Sequence, residues 1–341
     1  MSKWYNIKSE NEDVVISSRI RLARNFTGYN FPDRLSDNES VKMVSEVVES
    51  FKKDFSDKYN CLFMNNCSES KQKALKERRQ ISSALINGKN GAVLLSSDES
   101  EAIMLNAEDH VRIQVLANGM NLPFCYSRAN EVDDYIDSKF EYAFDERYGY
   151  KTSFPTNVGT GMRASYTLHL PALFEVKKIS HLSTELGRFG MKLKTLYGED
   201  VGYGSLYQIA TQKTLGQSET EIMKDLDDIV TQIINQEREQ RQYLYKKDKI
   251  RTEDAVYKSY GVLKYARKIS LRDSMTLLSE LMLGEALGII TINPESNFSF
   301  NKMVMDIQPA VLNNAGSRAM SVDEIDVLRA EYIRNNCPDI I

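Results

Sequence analysis

The 341-residue chain is 42% hydrophobic and 27% charged with a net charge of -4, a balance ordinary for a soluble globular enzyme long enough for two domains. This excludes whole-chain attraction to nucleic acid or to an anionic membrane, and no local basic cluster reads as a nucleic-acid patch. No stretch approaches the roughly 18 apolar residues of a membrane span, the first residues lack the apolar core of a secretion signal, and Cys61, Cys67, Cys125 and Cys337 show no CxxC spacing, so a cytoplasmic protein with plain thiols and no zinc site or disulfide framework is expected.

Taken in order, Val14-Val15-Ile16 leads into Ser17-Ser18-Arg19-Ile20-Arg21-Leu22. Successive side chains of an extended chain point to opposite faces, which sets Arg19 and Arg21 against Ile20 and Leu22. Over 36–59 apolar residues recur at helical spacing, opened by a capping box of Ser36 and Glu39. A second helix over 71–79 ends in Arg78 and Arg79. From Ala92 the period changes to two, and 92–96, 102–106 and 111–117 read as an antiparallel meander. The same alternation in Asn106-Ala107-Glu108-Asp109-His110-Val111-Arg112-Ile113-Gln114 puts Glu108, His110, Arg112 and Gln114 on one side and Val111 and Ile113 on the other.

Residues 133–143 read as a helix. Gly159-Thr160-Gly161 then leads into a strand in which Arg163, Ser165, Thr167 and His169 alternate with apolar residues. A helix over 173–187, strands over 193–196 and 205–214, and a long helix opened by a second capping box of Ser218 and Glu221 follow. Beyond about residue 250 the pattern is entirely helical, over 254–268, 271–287 and 321–335, with a polar loop over 293–299. The expected class is α+β: an antiparallel sheet flanked by helices over 1–250, then a helical C-terminal domain over 251–341.

Guanidinium groups match phosphate oxygens in forked pairs and keep their charge, so Arg19, Arg21, Arg112 and Arg163 on one sheet face suit a nucleoside triphosphate. No GxxxxGK[ST] or GxGxxG loop is present, which leaves side chains to hold the phosphates. Glu108 and Glu199, at the edge of such a site, fit a cationic acceptor. A guanidinium with an ordinary pKa above 12 is a poor nucleophile until a base aligns it and takes a proton.

The stretches 17–25, 106–114 and 155–165, with Tyr197-Gly198-Glu199, strongly resemble the phosphagen (guanidino) kinase superfamily, and within it the bacterial branch that phosphorylates arginine in proteins. The resemblance implies an antiparallel catalytic domain using ATP and Mg2+, the metal held mainly by the ATP phosphates rather than by protein ligands. Carried over motif by motif, Glu108 and Glu199 clamp and deprotonate the acceptor. Ser17, Ser18, Arg19, Ile20 and Arg21, with Arg79, Arg112, Arg163, Ala164, Ser165, Tyr166 and Thr167, bind the nucleotide, as do Lys194, Thr195, Leu196, Tyr197 and Gly198. His110 is read as structural, Met162 and Tyr166 as core or adenine-side packing, and Asp109 as orienting Glu108 or the backbone.

Only 16 residues precede Ser17, whereas metabolite kinases of the superfamily carry a helical domain there; an uncovered site fits an arginine still attached to a polypeptide. The resemblance also implies a homodimer through the C-terminal helices, an McsA-like activator, a CtsR-like repressor and Clp protease components as partners. Three departures stand out. Phe154 replaces the family's usual Cys before Pro-Thr-Asn, and Lys194 replaces an Arg. The family's RDxxRA phosphoarginine-binding motif reads Ile325-Asp326-Val327-Leu328-Arg329-Ala330, degenerate at its first Arg. The departures leave two other readings: a weak or inactive member serving as an adaptor in stress proteolysis, and, ranked lower, a free-arginine kinase.

Overall fold

Alternation of polar and apolar side chains, strongest in the segment Val15–Arg24 (β1), organises the sheet around it. The structure, a computed structural model, describes residues 3–7, 9–197, 203–293, 296, 298–315 and 318–341. Among these the strands after β1 are Tyr59–Phe63 (β2), Ala92–Ser96 (β3), Glu101–Leu105 (β4), Val111–Asn118 (β5), Phe144–Asp145 (β6), Gly149–Tyr150 (β7), Met162–His169 (β8), Met191–Thr195 (β9) and Leu206–Thr211 (β10). β6 and β7 form a small hairpin. The other eight make one antiparallel sheet in the order β2-β3-β4-β5-β1-β8-β10-β9, with β1 near its centre.

Directly opposed residues of antiparallel strands share a face. Arg21 pairs with Gln114 and Arg163, Ala23 with Arg112, Arg19 with Ser165 and Ser17 with Thr167, while Gln208 pairs with Thr167 and Lys194. These side chains therefore occupy one face. Ile20, Leu22, Ile113, Ala164, Tyr166 and Ile209 occupy the other, which is buried under the helices Asp37–Asp54, Leu122–Asp137, Ile179–Arg188 and Glu219–Lys247. Both expected capping boxes are formed, at Ser36 and at Ser218.

The arginine face is covered only in part. Over β3 and β4 it packs Val93, Leu95, Ala102 and Met104 against Leu75 and Leu85 of the helices Glu69–Glu77 and Ser83–Asn87, and near the far end of β5 Leu116 meets Trp4, Tyr5 and Met305. The stretch between carries the arginines.

Some boundaries differ from expectation. The first long helix stops at Asp54, and Tyr59 begins β2, because Phe55 leaves the helical spiral to pack edge-on against Tyr59 and Tyr135. The helix expected over 133–143 spans Leu122–Asp137; Pro123 in its first turn, where no N–H is needed, looks like a loop signal in sequence but opens the helix. The helix expected over 173–187 is broken by Lys177 at φ +60 into Pro171–Glu175 and Ile179–Arg188.

From residue 249 onward the described secondary structure is helical: Lys249–Tyr265, Leu271–Ala286, Phe300–Asp306, Pro309–Ala315 and Val322–Asn336. Val256, Leu263, Leu278, Leu281, Ile307 and Ile333 form its core, which Ile16 and Leu206 of the sheet join. A buried polar bond ties the two parts together, His169 of β8 to Ser279 at 2.7 Å, and Arg241 of the helix Glu219–Lys247 steadies His169 by donating to its carbonyl at 2.9 Å. Among the described residues no helix is long and apolar enough to cross a membrane.

Candidate active site

The exposed stretch of the sheet face is a cluster of cations placed by five separate elements. Arg19 and Arg21 come from β1, Arg112 from β5, Arg163 from β8 and Lys194 from β9. Arg79 follows the helix Glu69–Glu77 in the left-handed conformation, at φ +63. Neutral side chains hold their orientations. Arg19 Nε donates to Ser165 Oγ at 3.3 Å, and that oxygen also accepts from Gln208 Nε2 at 3.1 Å. Arg79 Nη1 donates to Thr167 Oγ1 at 2.9 Å and to Ser17 Oγ at 3.3 Å, and the Arg79 carbonyl accepts from Gln114 Nε2 at 2.7 Å. Arg163 Nε donates to Asn157 Oδ1 at 2.8 Å and its Nη2 to Thr156 Oγ1 at 3.0 Å.

Burial and mutual repulsion act together on this cluster. Burial, with the charges of Arg21, Arg79 and Arg112, pushes the Arg19 guanidinium well below its ordinary value. Burial, Arg112 and Arg163 do the same to Arg21, offset in part by Glu108. Arg163 and Lys194 are depressed in the same sense, first by burial and then by neighbouring cations. Arg21 Nε is buried with no hydrogen-bond partner among the described residues. A buried donor left unpaired inside a ring of cations is the signature of a site that binds a polyanion.

Glu108 lies at the rim of the cluster, in the tight loop joining β4 to β5. Asn106, at φ +55, starts the turn, and its N–H donates to the His110 carbonyl at 2.8 Å. Glu108 pairs with Arg112, and its other oxygen accepts from Ser82 Oγ at 2.9 Å. Burial alone would raise its pKa, but the Arg112 charge and hydrogen bond prevail and hold it below the ordinary carboxylate value, so it stays ionised.

His110 does not share this face. The loop breaks the alternation one residue before β5 begins, and His110 turns to the opposite side, where Phe26 N–H donates to Nδ1 at 3.0 Å and Nε2 meets the Asn30 carbonyl at 2.8 Å. That pairing fixes the Nε2–H tautomer of a neutral imidazole, and burial lowers its pKa. Ser18, Ile20, Ala164 and Tyr166 likewise point away from the cations. Ser18 Oγ donates to the Gly119 carbonyl at 2.6 Å, and Tyr166 donates to Asp227. Thr195 pairs with Tyr207 across the sheet, and Leu196 and Tyr197 pack against the C-terminal core, Tyr197 with Arg79 nearby. Gly198 and Glu199 lie outside the described residues.

In the C-terminal motif Arg329 is buried and satisfied within its own domain, by the carbonyls of Ile307 at 2.9 Å and Ile269 at 3.1 Å and by Asp326. Ala330 lies in the C-terminal core beside it, and Ile325 is half-buried. Ser82 and Gln208, which hold Glu108 and Ser165, were not singled out in the sequence, and Thr156 and Asn157, which hold Arg163, were read only as part of the 155–165 stretch, with no role of their own. Each is a short polar residue in a loop or on a strand, with no spacing signal of its own.

Fold and site together define an ATP:guanido phosphotransferase, and the chain belongs to that family: the model of its C-terminal catalytic domain matches residues 39–240. Within the family it belongs with the protein-arginine kinases. The model of the C-terminal domain of the protein-arginine kinase McsB matches residues 249–340, and the chain is 40% identical to the protein-arginine kinase of Bacillus subtilis (strain 168), over 98% of this chain and 93% of that one. It is 38% identical to the protein-arginine kinase of Clostridium acetobutylicum, over 98% and 99%. Among solved structures, a lombricine kinase shares the fold at a TM-score of 0.59 and 21% identity, over 67% of each chain. The duplicated taurocyamine kinase of Schistosoma mansoni does so at 0.60 and 22%, over 67% of this chain and 34% of that one.

Proposed function

We propose that this chain transfers the γ-phosphoryl group of ATP to arginine side chains of proteins. The observation that carries the reading is that Glu108, at the rim of the cation cluster, is ionised and already holds a guanidinium, that of Arg112. A nucleotide drawing Arg112 toward its phosphates leaves Glu108 free for the guanidinium of the acceptor.

Arg19, Arg21, Arg79, Arg112, Arg163 and Lys194 bind and neutralise the triphosphate, the main demand of phosphoryl transfer. Among the described residues no group of three or more His, Cys, Asp or Glu could hold a metal ion. Magnesium held mainly by the ATP phosphates, as the resemblance implies, would supply further charge neutralisation there. Glu108 aligns the acceptor and takes a proton from its nitrogen, with Glu199 proposed as the second carboxylate. The N–P bond forms as the bond from Pγ to the ADP oxygen breaks, and ADP leaves. Family membership supports an assembly of two chains, and exposed Tyr257, Val262 and Tyr265 on one C-terminal helix offer an apolar surface for it.

The test is incubation with γ-labelled ATP, Mg2+ and casein or, separately, free arginine. Acid-labile label on casein arginine, absent with Glu108→Gln, is the expected result. Label on free arginine alone, or undiminished label with Glu108→Gln, would overturn the reading.

A further inference from the structure

Asn25 follows β1 directly and is 1% exposed, yet it makes no contribution to the apolar core. Its amide is fully used. Nδ2 donates to Asp109 Oδ1 at 2.7 Å and to the Lys151 carbonyl at 3.0 Å, and Oδ1 accepts the His110 N–H at 2.8 Å. Asp109 Oδ1 in turn accepts the Ser153 N–H at 2.6 Å. One buried amide thus joins three segments that are far apart in the chain: the end of the strand carrying Arg19 and Arg21, the loop in which Glu108 precedes Asp109, and the segment from Lys151 to Asn157 whose last two residues hold Arg163.

We infer that Asn25 is a positioning residue, which fixes the distance between Glu108 and the phosphate-binding arginines by pinning the Glu108 loop and the 151–157 loop to the end of β1. The inference rests on the reading of Glu108 as the acceptor's base. Only an amide fits the node. A carboxylate at 25 would still accept the His110 N–H but would face Asp109 and the Lys151 carbonyl with no proton to give, and an apolar residue would leave the His110 N–H and the Lys151 carbonyl without their bonds to it and Asp109 with the Ser153 N–H alone. The adjacent residue braces the same strand end independently. Arg24 donates to the Thr160 carbonyl at 3.0 Å and to Asp133 Oδ2 at 2.7 Å, and its guanidinium lies 3.5 Å from the centre of the Tyr150 ring. The phosphate-binding strands therefore keep their anchorage when Asn25 is changed, and the loss falls on the placement of Glu108.

The experiment compares the whole protein with Asn25→Asp and with Glu108→Gln, reading kcat on casein, ATP affinity by direct titration, and thermal unfolding. A displacement of the order of 1 Å in a reacting geometry is worth about 100-fold, so Asn25→Asp is expected to lower kcat by about that factor. ATP affinity is expected to stay within about threefold. Two results would overturn the inference: unchanged kcat in Asn25→Asp while Glu108→Gln is inactive, or ATP affinity falling in step with kcat. An active Glu108→Gln overturns the underlying reading of Glu108, and the inference with it.

Discussion

Arg78 and Asp306 form an ion pair that joins the end of the helix Glu69–Glu77 to the C-terminal helices, one residue before Arg79 enters the cation cluster. The pair is part of a chain: Arg78 also meets Glu99 at 2.9 Å, and Asp306 meets Lys302 at 2.9 Å and the Tyr332 hydroxyl at 2.6 Å. On the other side of the pair, Glu77 accepts the N–H groups of Ala310 and Val311 at 2.7 and 3.1 Å. The segment that carries Arg79 into the cation cluster is thus held by the C-terminal helices. Asp306→Asn keeps the shape but leaves Arg78 with one carboxylate, and it is expected to cost about 2 kcal/mol by urea unfolding. The same variant should raise the KM for ATP with a smaller effect on kcat, if Arg79 serves the phosphates as proposed and not the acceptor.

Acid should act on the same junction. Burial alone would raise the pKa of Asp306 and of Glu99. Hydrogen bonds from Tyr332 and Lys302 with the Arg78 charge lower the first below its ordinary 3.8, and Arg78 and Lys3 lower the second below 4.5. A carboxylate whose folded pKa is depressed contributes stability that is complete above its unfolded value and is lost as pH falls through the folded one. Urea midpoints measured from pH 7 to pH 3 should therefore stay level and then drop below about pH 4. Asp306→Asn should drop less steeply, because one titrating group has gone.

Arg79 trades stability for function. A residue with a Cβ in the left-handed region costs about 1 kcal/mol relative to glycine, and Arg79 sits there at φ +63 while burial depresses its guanidinium. The Gln80 N–H returns to the Leu75 carbonyl at 2.9 Å, closing a helix end of the kind usually finished by glycine. Arg79→Gly should raise the unfolding free energy by up to about 1 kcal/mol and weaken ATP binding by about tenfold, read by thermal melts and nucleotide titration. A variant that is less stable would show that the bonds to Thr167 and Ser17 outweigh the backbone strain.

How far the sequence revealed this site depended on whether regular backbone carried each residue. Arg19, Arg21, Arg112 and Arg163 sit within strands, where period-two alternation determines the face, and the expected convergence follows directly from the register of β5, β1 and β8. His110 and Glu108 precede β5 in a loop, where alternation has no force; Glu108 faces the cations through its pair with Arg112, and His110 does not. Motif resemblance delivers contiguous runs, so it swept in Ser18, Ile20, Ala164 and Tyr166, whose side chains the pleat turns to the core. Asn25 and Ser82 act through bonds to residues distant in the chain, and no local pattern announces such bonds, whereas Asn157 reaches Arg163 six residues on, within a loop that has no period to reveal it. The short helices Phe300–Asp306 and Pro309–Ala315 lack the length to show a period.

Phe154 stands where the resembling kinases carry a cysteine, and its surroundings show that the exchange is sterically free. The side chain is 52% exposed. The backbone is extended at φ -106 and ψ 123, open to any residue, and is held by its own carbonyl, which accepts from Thr152 Oγ1 and from the Asn157 N–H, both at 2.9 Å. Neither bond involves the phenyl ring. Phe154→Cys should therefore change stability by no more than about 0.5 kcal/mol, as expected for an exposed position with no special contacts. Turnover on protein arginine should rise, because the cysteine that the resemblance implies at this position would give the acceptor guanidinium a contact that the ring does not. Single-turnover rates at saturating ATP isolate that step from nucleotide binding. A rate equal to or below that of the unaltered chain would mean that other groups already orient the acceptor here, and that the missing thiol has been replaced elsewhere in the pocket.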